Sequence, residues 1–563
     1  MKVITNQLGY RNGHSAKRVL VEDCAAARSI FGTYLFQLIE QNEFSKYGQN
    51  DPRQLPFSYR GGLQREQGDF GSWLVGEFSH TQATGVYQTY CGNEPGPAFA
   101  IRDDVWCRIL PELLRFFEIM SCGREVVGWH EACHLDDGYL EAEDRYIEAA
   151  GGWHDAGDFR KWASSTSMNA HALLMAHRLW GGREERLGLK RDVFLDASLQ
   201  GVDYFCNIQQ PNGALLHNIG GGGESYHDNL DCRYTDNVKE SGDERLIWPG
   251  YLGPAGRFTT LFALYAQALS ERDPERAERC RAAARASERY DREHGRHDAD
   301  HLQWRAWASL ELWRLEGREA DKAAAVDALN ALLDLQVTEF IGGQDETRGF
   351  FRSGRGDGQF HRKHVGACYP IIVAVAMAEA FPDHPDLPRW RDAVALWVEG
   401  FVRPFARRNP FGLLPYAIYP APPAENADLH YRPLGGEGLC FRYFTRGKMG
   451  VNARNALRAV ALAGAARFLK QPDLATLGYR QLEWVVGHNP FQMSTVNGVG
   501  VLQPFALSFQ MGNIPGGVTM GVQGDANDQP FYPHPWECSD EYYGYQTSQF
   551  LWAILELQDG PVG

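Results

Sequence analysis

No stretch of about 18 consecutive apolar residues occurs in this 563-residue chain, which excludes a long apolar membrane-spanning helix. The opening, Met1-Lys-Val-Ile-Thr-Asn-Gln-Leu-Gly-Tyr10, lacks the basic segment and apolar run of a secretory signal. Basic charge is in deficit: 56 Lys and Arg face 71 Asp and Glu, a net charge of −15, which argues against nucleic acid or another polyanion as partner. The 11 cysteines are an odd number without a disulfide-framework spacing, which fits a reducing compartment. These absences together predict a cytoplasmic protein with no membrane and no nucleic-acid partner. What is present, 44% hydrophobic and 23% charged residues, is the composition of a globular protein long enough for two domains.

Residues 151–162 read Gly-Gly-Trp-His-Asp-Ala-Gly-Asp-Phe-Arg-Lys-Trp. Asp155 and Asp158 are separated only by Ala156 and Gly157, so neither spacer crowds the volume on which the two carboxylates converge. Two such groups can activate a water, one taking its proton and the other orienting it, which is the chemistry of hydrolysis beside a sugar. The tetrapeptide by itself also describes an ordinary turn in which Asp side chains accept from nearby amides.

Up to about residue 100, short β-type runs such as Arg18-Val-Leu-Val21 and Phe31-Gly-Thr-Tyr-Leu-Phe36 alternate with Gly, Pro and Asn, the pattern of a small sandwich. Beyond residue 104 the texture changes to amphipathic stretches of helical period, near 105–121, 164–180, 192–209, 256–271, 274–290, 301–316, 319–336, 367–382, 386–404, 449–470, 472–487 and 544–558. Twelve helices in antiparallel pairs can close into a toroid or stack into a solenoid, and their number does not choose between the two. Long segments poor in helix pattern, at 210–250, 339–366, 406–448 and 488–543, carry aromatics, Gly and His and are expected to shape a substrate cleft.

The 151–162 block, with Phe159 where Tyr is usual, resembles the water-activating motif of glycoside hydrolase family 9. Leu482 to Gly498 resembles the family's Gly-Arg-Asn-Pro stretch with His488 in place of Arg, and the helix ending Gln549 to Leu557 resembles its final helix. The openings Asn6-Gln-Leu-Gly-Tyr10, Asp69-Phe-Gly-Ser72, Gly85 to Tyr90 and Pro97 to Ile101 look like strands of the immunoglobulin-like module that precedes many family 9 catalytic domains. The resemblance implies an immunoglobulin-like β-sandwich at 1–103 followed by an all-α (α/α)6 barrel at 104–563.

It further implies an inverting mechanism in which Asp158 is the general base, Asp155 holds the water and Glu541 is the proton donor, with Glu537 as rival. The family usually has Asn-Glu where this chain has Asp540-Glu541; an adjacent carboxylate raises the Glu541 pKa if the two side chains are close. Tyr545, His364 and Arg352 are the expected sugar contacts, among loop residues that also include Arg348, His361, Glu437 and Arg442.

Cys122, Cys133, His134 and His154 offer the donor set of a closed structural zinc site. Spacing alone describes buried thiols as well; the resemblance assigns the zinc, with His130 as a competing imidazole. Calcium is also common in the family.

Where cellulases of this family carry a His- and Arg-containing sugar-gripping motif, this chain has Ala506-Leu-Ser-Phe-Gln-Met-Gly-Asn-Ile-Pro-Gly-Gly-Val-Thr519. That departure, with Asp525 and Asp528 as an acidic wall or merely a turn, favours an exo-acting β-glycosidase on gluco-configured oligosaccharides, of the β-glucosidase or exo-β-glucosaminidase kind. The alternatives are an endo-β-1,4-glucanase and, in another class, a non-catalytic carbohydrate-binding protein. A polysaccharide lyase would want a Tyr or His base instead of paired Asp.

Overall fold

The computed structural model describes residues 1–13, 16–28, 32–41, 59–180, 188–220, 234–248, 250–339, 347–355, 360, 368–423, 428–435, 439–446, 450–506, 512–532 and 538–558. The first hundred residues form two facing sheets. One has the order β1 (Val3–Ile4), β3 (Arg18–Glu22), β7 (Gly71–Glu77), β6 (Gln64–Gly68), all antiparallel. The other runs β2 (Gly9–Tyr10), β9 (Glu94–Ile101), β8 (Gly85–Cys91), β4 (Leu35–Glu40), β5 (Tyr59–Gly62), antiparallel except for β2 beside β9. This mostly antiparallel region is consistent with an immunoglobulin-like domain.

The near-continuous apolar run in β3 has a physical reason: both of its faces are buried. Val19 and Val21 point into the core between the sheets with Phe36, Leu38 and Phe99, while Leu20, with Ile4, Trp73 and Val75, joins the core of the helical part. Two expectations shift. The strand expected over Phe31–Phe36 lies at Leu35–Glu40. The Asn6–Tyr10 opening is a corner between the sheets, in which the Asn6 carboxamide accepts from the Leu8 and Gly9 amides.

The helices are α1 (Leu110–Ile119), α2 (Ala163–Leu179), α3 (Asp192–Ser198), α4 (Val202–Ile208), α5 (Gly256–Leu269), α6 (Pro274–His294), α7 (Ala299–Glu316), α8 (Glu319–Leu333), α9 (Tyr369–Ala380), α10 (Leu387–Trp397), α11 (Arg403–Ala406), α12 (Asn452–Leu469), α13 (Asp473–Val485) and α14 (Gly544–Gln558). The single helix expected at 192–209 breaks at Leu199–Gly201, where Gly201 packs so closely on Trp153 that a Cβ would lie 2.7 Å from the indole. Six helices touch in sequence, α2 to α5 to α7 to α9 to α12 to α14, and α14 returns to α2. These are buried on every side, as in α9, where Tyr369 to Val375 are all inaccessible. Each leans on a partner outside the ring: α3 on α2, α6 on α5, α8 on α7, α10 on α9, α13 on α12 and α1 on α14. Among the outer helices, α6 buries one stripe, through Ala277, Cys280, Ala284, Ser287 and Asp291, the spacing of one helical face.

The first turns of the ring helices meet at one end. Arg257 Nη1 donates to the Ser164 carbonyl, the Arg257 guanidinium lies 5.2 Å from the Trp304 ring, Trp304 packs on Tyr369, and Tyr369 lies in the field of Tyr545. No helix among the described residues is long and apolar enough to cross a membrane.

Candidate active site

The 151–162 loop sits over that end and is fixed from both sides. Gly151 and Gly152 adopt φ values of +90° and +73°, which lets the chain double back. Trp153, fully buried, bridges to Ser121, and the His154 amide donates to the Met120 carbonyl (2.9 Å). The Asp155 amide closes the Asp-Ala-Gly-Asp turn on the Arg160 carbonyl (2.9 Å), and the Asp155 carbonyl accepts from the Gly544 amide (2.8 Å) at the start of α14. The 151–162 loop and the last helix are thereby joined through one backbone hydrogen bond.

Asp155 is 4% exposed; its Oδ2 accepts from Ser165 Oγ (3.4 Å), and its Oδ1 has no protein partner. Burial pushes its pKa well above the carboxylate range, and the charges of Asp158 and Glu541 push it further. Both other carboxyls therefore act on Asp155. Asp158 is more open, its side chain 21% exposed, with Arg160 Nε at 3.5 Å from its Oδ2 and the Arg160 amide donating to Oδ1 (3.3 Å). Burial raises the Asp158 pKa, and Arg160 opposes the rise. Glu541 is buried, its carbonyl accepting from the Met520 amide. Asp540 is hydrogen-bonded to Tyr532, so that carboxylate is engaged within its own loop. Glu537 lies outside the described residues.

A second network holds the loop from beneath, and sequence reasoning missed it. Asp137 receives Arg245 Nε at 2.8 Å and Nη2 at 2.5 Å, and Lys161 Nζ at 2.7 Å, all three side chains being buried. Arg245 also donates to the Phe159 carbonyl (2.6 Å) and Lys161 to the carbonyls of Ala149 (2.6 Å) and Gly151 (3.1 Å). Burial alone would raise the Asp137 pKa; Arg245 and Lys161 outweigh it and hold the group far below the carboxylate range.

Cys122, Cys133, His134 and His154 come together, fully buried, with donor atoms within 4.8 Å of one another. His154 Nε2 to His134 Nδ1 is 3.4 Å, Cys122 Sγ to His134 Nδ1 is 3.6 Å, and Cys133 Sγ to His154 Nε2 is 3.7 Å. A tetrahedral zinc with ordinary Zn–N and Zn–S bonds requires edges of about 3.3 Å between nitrogens and about 3.6 Å between nitrogen and sulfur. The donor set is compatible with zinc in identity and geometry. His130 does not compete, since Nδ1 contacts the Glu131 carbonyl and Nε2 the Ile119 carbonyl. A separate acidic group, Asp136, Asp236 and Asp243, brings three carboxylates within the same 4.8 Å limit.

The expected sugar contacts divide. Tyr545 lies at the ring mouth beside Tyr369, in the field of Arg454 and Arg257. Arg352 lies over the Phe360 ring at 5.8 Å, with Ser353 accepting from the Ala299 amide at the start of α7. His364, His361 and Glu437 fall outside the described residues. Arg348 reaches the Thr338 carbonyl.

Arg442, Asp525 and Asp528 are structural. Arg442 donates to the carbonyls of His430 and Asp525, Asp528 is buried against Arg432 Nε (2.8 Å) and the Tyr443 amide, and Asp525 Oδ1 caps a turn through the amides of Asn527 and Gln529. The acidic wall is a turn, and the amino-sugar argument built on it falls. His488 is likewise removed from the cleft, buried 3.6 Å from Glu483 where the sheets meet the helices.

Sequence reasoning also passed over Arg257 and Arg454, each in the first turn of a ring helix. A cation there opposes the helix dipole, and that unfavourable placement was the available signal.

Residues 106–337 match the sequence profile described as Glycosyl hydrolase family 9. A cellodextrinase of Butyrivibrio fibrisolvens is 25% identical over 166 residues, 26% of this chain and 29% of that protein. Endoglucanase D of Acetivibrio thermocellus is 21% identical over 357 residues, 56% of this chain and 52% of that protein. The matched stretches thus span about half or less of these curated relatives. Among solved structures, a metagenome-derived family 9 endoglucanase superposes with a TM-score of 0.71 at 18% identity over 99% of both chains. AaCel9A in complex with a cellobiose-like isofagomine gives 0.71 at 18% over 99% of this chain and 100% of that one. A Zn-binding triple mutant of the family 9 endoglucanase J30 gives 0.67 at 19%, over 97% and 99%. The profile match covers the 151–162 loop and the Cys2His2 cluster, so residues 106–337 are similar to glycosyl hydrolase family 9, and the likeness of fold to solved family 9 structures extends along the whole chain.

Proposed function

We propose that the protein is an inverting β-glycosidase acting on β-1,4-linked glucans or their oligosaccharides in the manner of an endoglucanase. The observation that carries the reading is the convergence of Asp155, Asp158 and Glu541, with Asp155 Oδ1 buried and unpartnered where it can accept from a water. Asp158, the most open of the paired carboxylates and backed by Arg160, takes the proton of that water. Glu541 donates to the leaving oxygen. Arg257, Arg454 and Tyr545 at the ring mouth supply donors where the family's His- and Arg-containing motif is missing. The similarity to endoglucanases favours this over the exo-acting reading, which rested on that missing motif and on an acidic wall that is a turn.

The scaffold reading is an immunoglobulin-like domain over 1–103 and an (α/α)6 barrel over 104–563, supported by the closed circuit of six ring helices with six outer partners. One structural zinc at Cys122, Cys133, His134 and His154 ties the loop ahead of Asp155; a closed four-ligand site contributes stability and offers no position for a reacting water. Asp136, Asp236 and Asp243 are the oxygen donors suited to calcium.

Proton NMR of the first product from cellopentaose tests the stereochemistry. Inversion gives the α-anomer first; a β-anomer would require a carboxylate nucleophile and overturn the assignment of Asp158 as base.

A further inference from the structure

We propose that Cys206 and Cys280 are a reversible dithiol–disulfide pair, a site of oxidation by hydroperoxides that fastens α4 to α6 beneath the 151–162 loop. The two helices pack side by side and are bonded at successive levels. Asp203 accepts from Arg276 Nη2 (2.7 Å) and Arg279 Nη1 (3.1 Å), Asn207 Oδ1 accepts from Arg279 Nη2, and just past α4 Gln209 Nε2 donates to the Ala283 carbonyl (2.9 Å). These contacts advance in step along both helices. Cys206 falls between the first and last of them on α4, and Cys280 between them on α6, so the register sets the two sulfurs opposite each other. Cys280 belongs to the buried stripe of α6, and Cys206 is partly buried against the same core. Tyr265, on α5, lies in the field of both.

Both thiols are free. The nearness of Cys280 lowers the Cys206 pKa; burial and Asp203 oppose this, and Arg279 assists it. The same nearness, with burial, raises Cys280. Cys206, the more accessible and more acidic of the two, is therefore the attacking thiolate. Its sulfur bonds to one peroxide oxygen as the O–O bond breaks, and the other oxygen leaves as water with the proton that Cys206 gave up. The Cys280 sulfur then attacks the sulfenic sulfur, the S–O bond breaks, and the hydroxyl leaves as a second water with the Cys280 proton. Two electrons pass from the sulfurs to the peroxide, and a small thiol reductant returns them by exchange.

α4 is the helix on which the 151–162 loop rests. A Cβ on Gly152 would lie 2.9 Å from the Tyr204 ring, and Lys161 Nζ stands 5.0 Å from the centre of that ring. The ion pairs that join α4 to α6 are between side chains open to water, where each contributes little. A covalent bond in their midst fixes the helix and closes a long stretch of chain, which constrains the unfolded state as well.

Peptide mapping by mass spectrometry of the wild-type chain treated with one equivalent of hydrogen peroxide tests this. A linked Cys206–Cys280 peptide is expected, lost again on adding dithiothreitol, with the oxidised protein melting about 5 °C above the reduced one. Cys206→Ser should abolish both the link and the shift; the mapping itself needs no variant, so it stands even if that protein folds poorly. Unreacted thiols at both positions, a sulfenic or higher acid at Cys206 without the linked peptide, or links confined to other cysteines would overturn the pair. A linked peptide with no rise in melting temperature would overturn the fastening of α4.

Discussion

The 151–162 loop is served by two groups of ionisable side chains with opposite electrostatics. Asp155 lies in the field of Asp158 and Glu541, with Arg160 the cation beside Asp158; burial pushes Asp155 and Asp158 toward the neutral form, and the two neighbouring carboxylates push Asp155 further. Asp137, beneath the same loop, receives two cations in direct contact and is held ionised. One set stores unfavourable charge, and the other compensates its charge to hold three backbone carbonyls, those of Ala149, Gly151 and Phe159, in place. Perturbation in itself therefore does not mark a catalytic acid; its direction and the supply of counter-charge separate the two roles.

Breaking the first set should cost turnover without stability. Asp158→Ala and Glu541→Ala are each expected to lower kcat on cello-oligosaccharides by about 10²–10⁴-fold, with the melting temperature unchanged or raised as repulsion is relieved. A loss below about tenfold at either position would remove it from the proton-transfer role. Breaking the second set should cost the fold. Asp137→Ala leaves Arg245 and Lys161 buried and uncompensated, a penalty of about 3–5 kcal/mol in denaturant unfolding, and activity should fall only as the loop loosens. A variant stable to within 1 kcal/mol or so would refute the bracing role.

The zinc cluster should side with the structural set. Chelation or Cys133→Ser is expected to lower the melting temperature by about 5–10 °C, with activity regained on adding zinc to the chelated wild type. A sample shown to be metal-free and equally stable would count against it.

A third kind of carboxylate sharpens the contrast. Glu483, where the sheets meet the helices, is pushed up to about 7 by burial, against the opposing pull of Arg480, Arg18 and the Asn6 carboxamide. His488 is 3.6 Å from it, and Tyr10 lies in its field. Its folded pKa is above the unfolded value near 4.3, so its stabilising contribution is complete below that pH and is lost as pH rises through about 7. Glu483→Gln should abolish this slope and be more stable than wild type at pH 8 by about 2–3 kcal/mol, relative to their difference at pH 4. Urea unfolding at the two pH values decides; parallel pH dependence in both proteins would assign the slope elsewhere.

Much of the candidate site was legible because it is local. Asp155 and Asp158 share one turn, and His154 adjoins it, so their proximity needs no long-range folding. The ring helices were legible from period and composition, with errors where tertiary packing intervened, as at Gly201 against Trp153. Arg245 was not legible: it lies 108 positions from Asp137, and nothing in its own segment distinguishes it from a surface arginine. Asp525 and Asp528 were misread in part for the converse reason, since a Gly-Asp-Ala-Asn-Asp segment reads as acidic until Arg432 and the Tyr443 amide arrive from elsewhere in the chain.

The sequence by itself determined the local chemistry: two carboxylates on a small-residue turn, two cysteines and two histidines in three short segments, and amphipathic periods that must pair. Tertiary structure alone decided which carboxylates are compensated. A carboxylate's pKa is fixed by the charges and dielectric within a few ångströms, and those come from Arg245, Lys161 and Glu541, which the chain brings together only on folding.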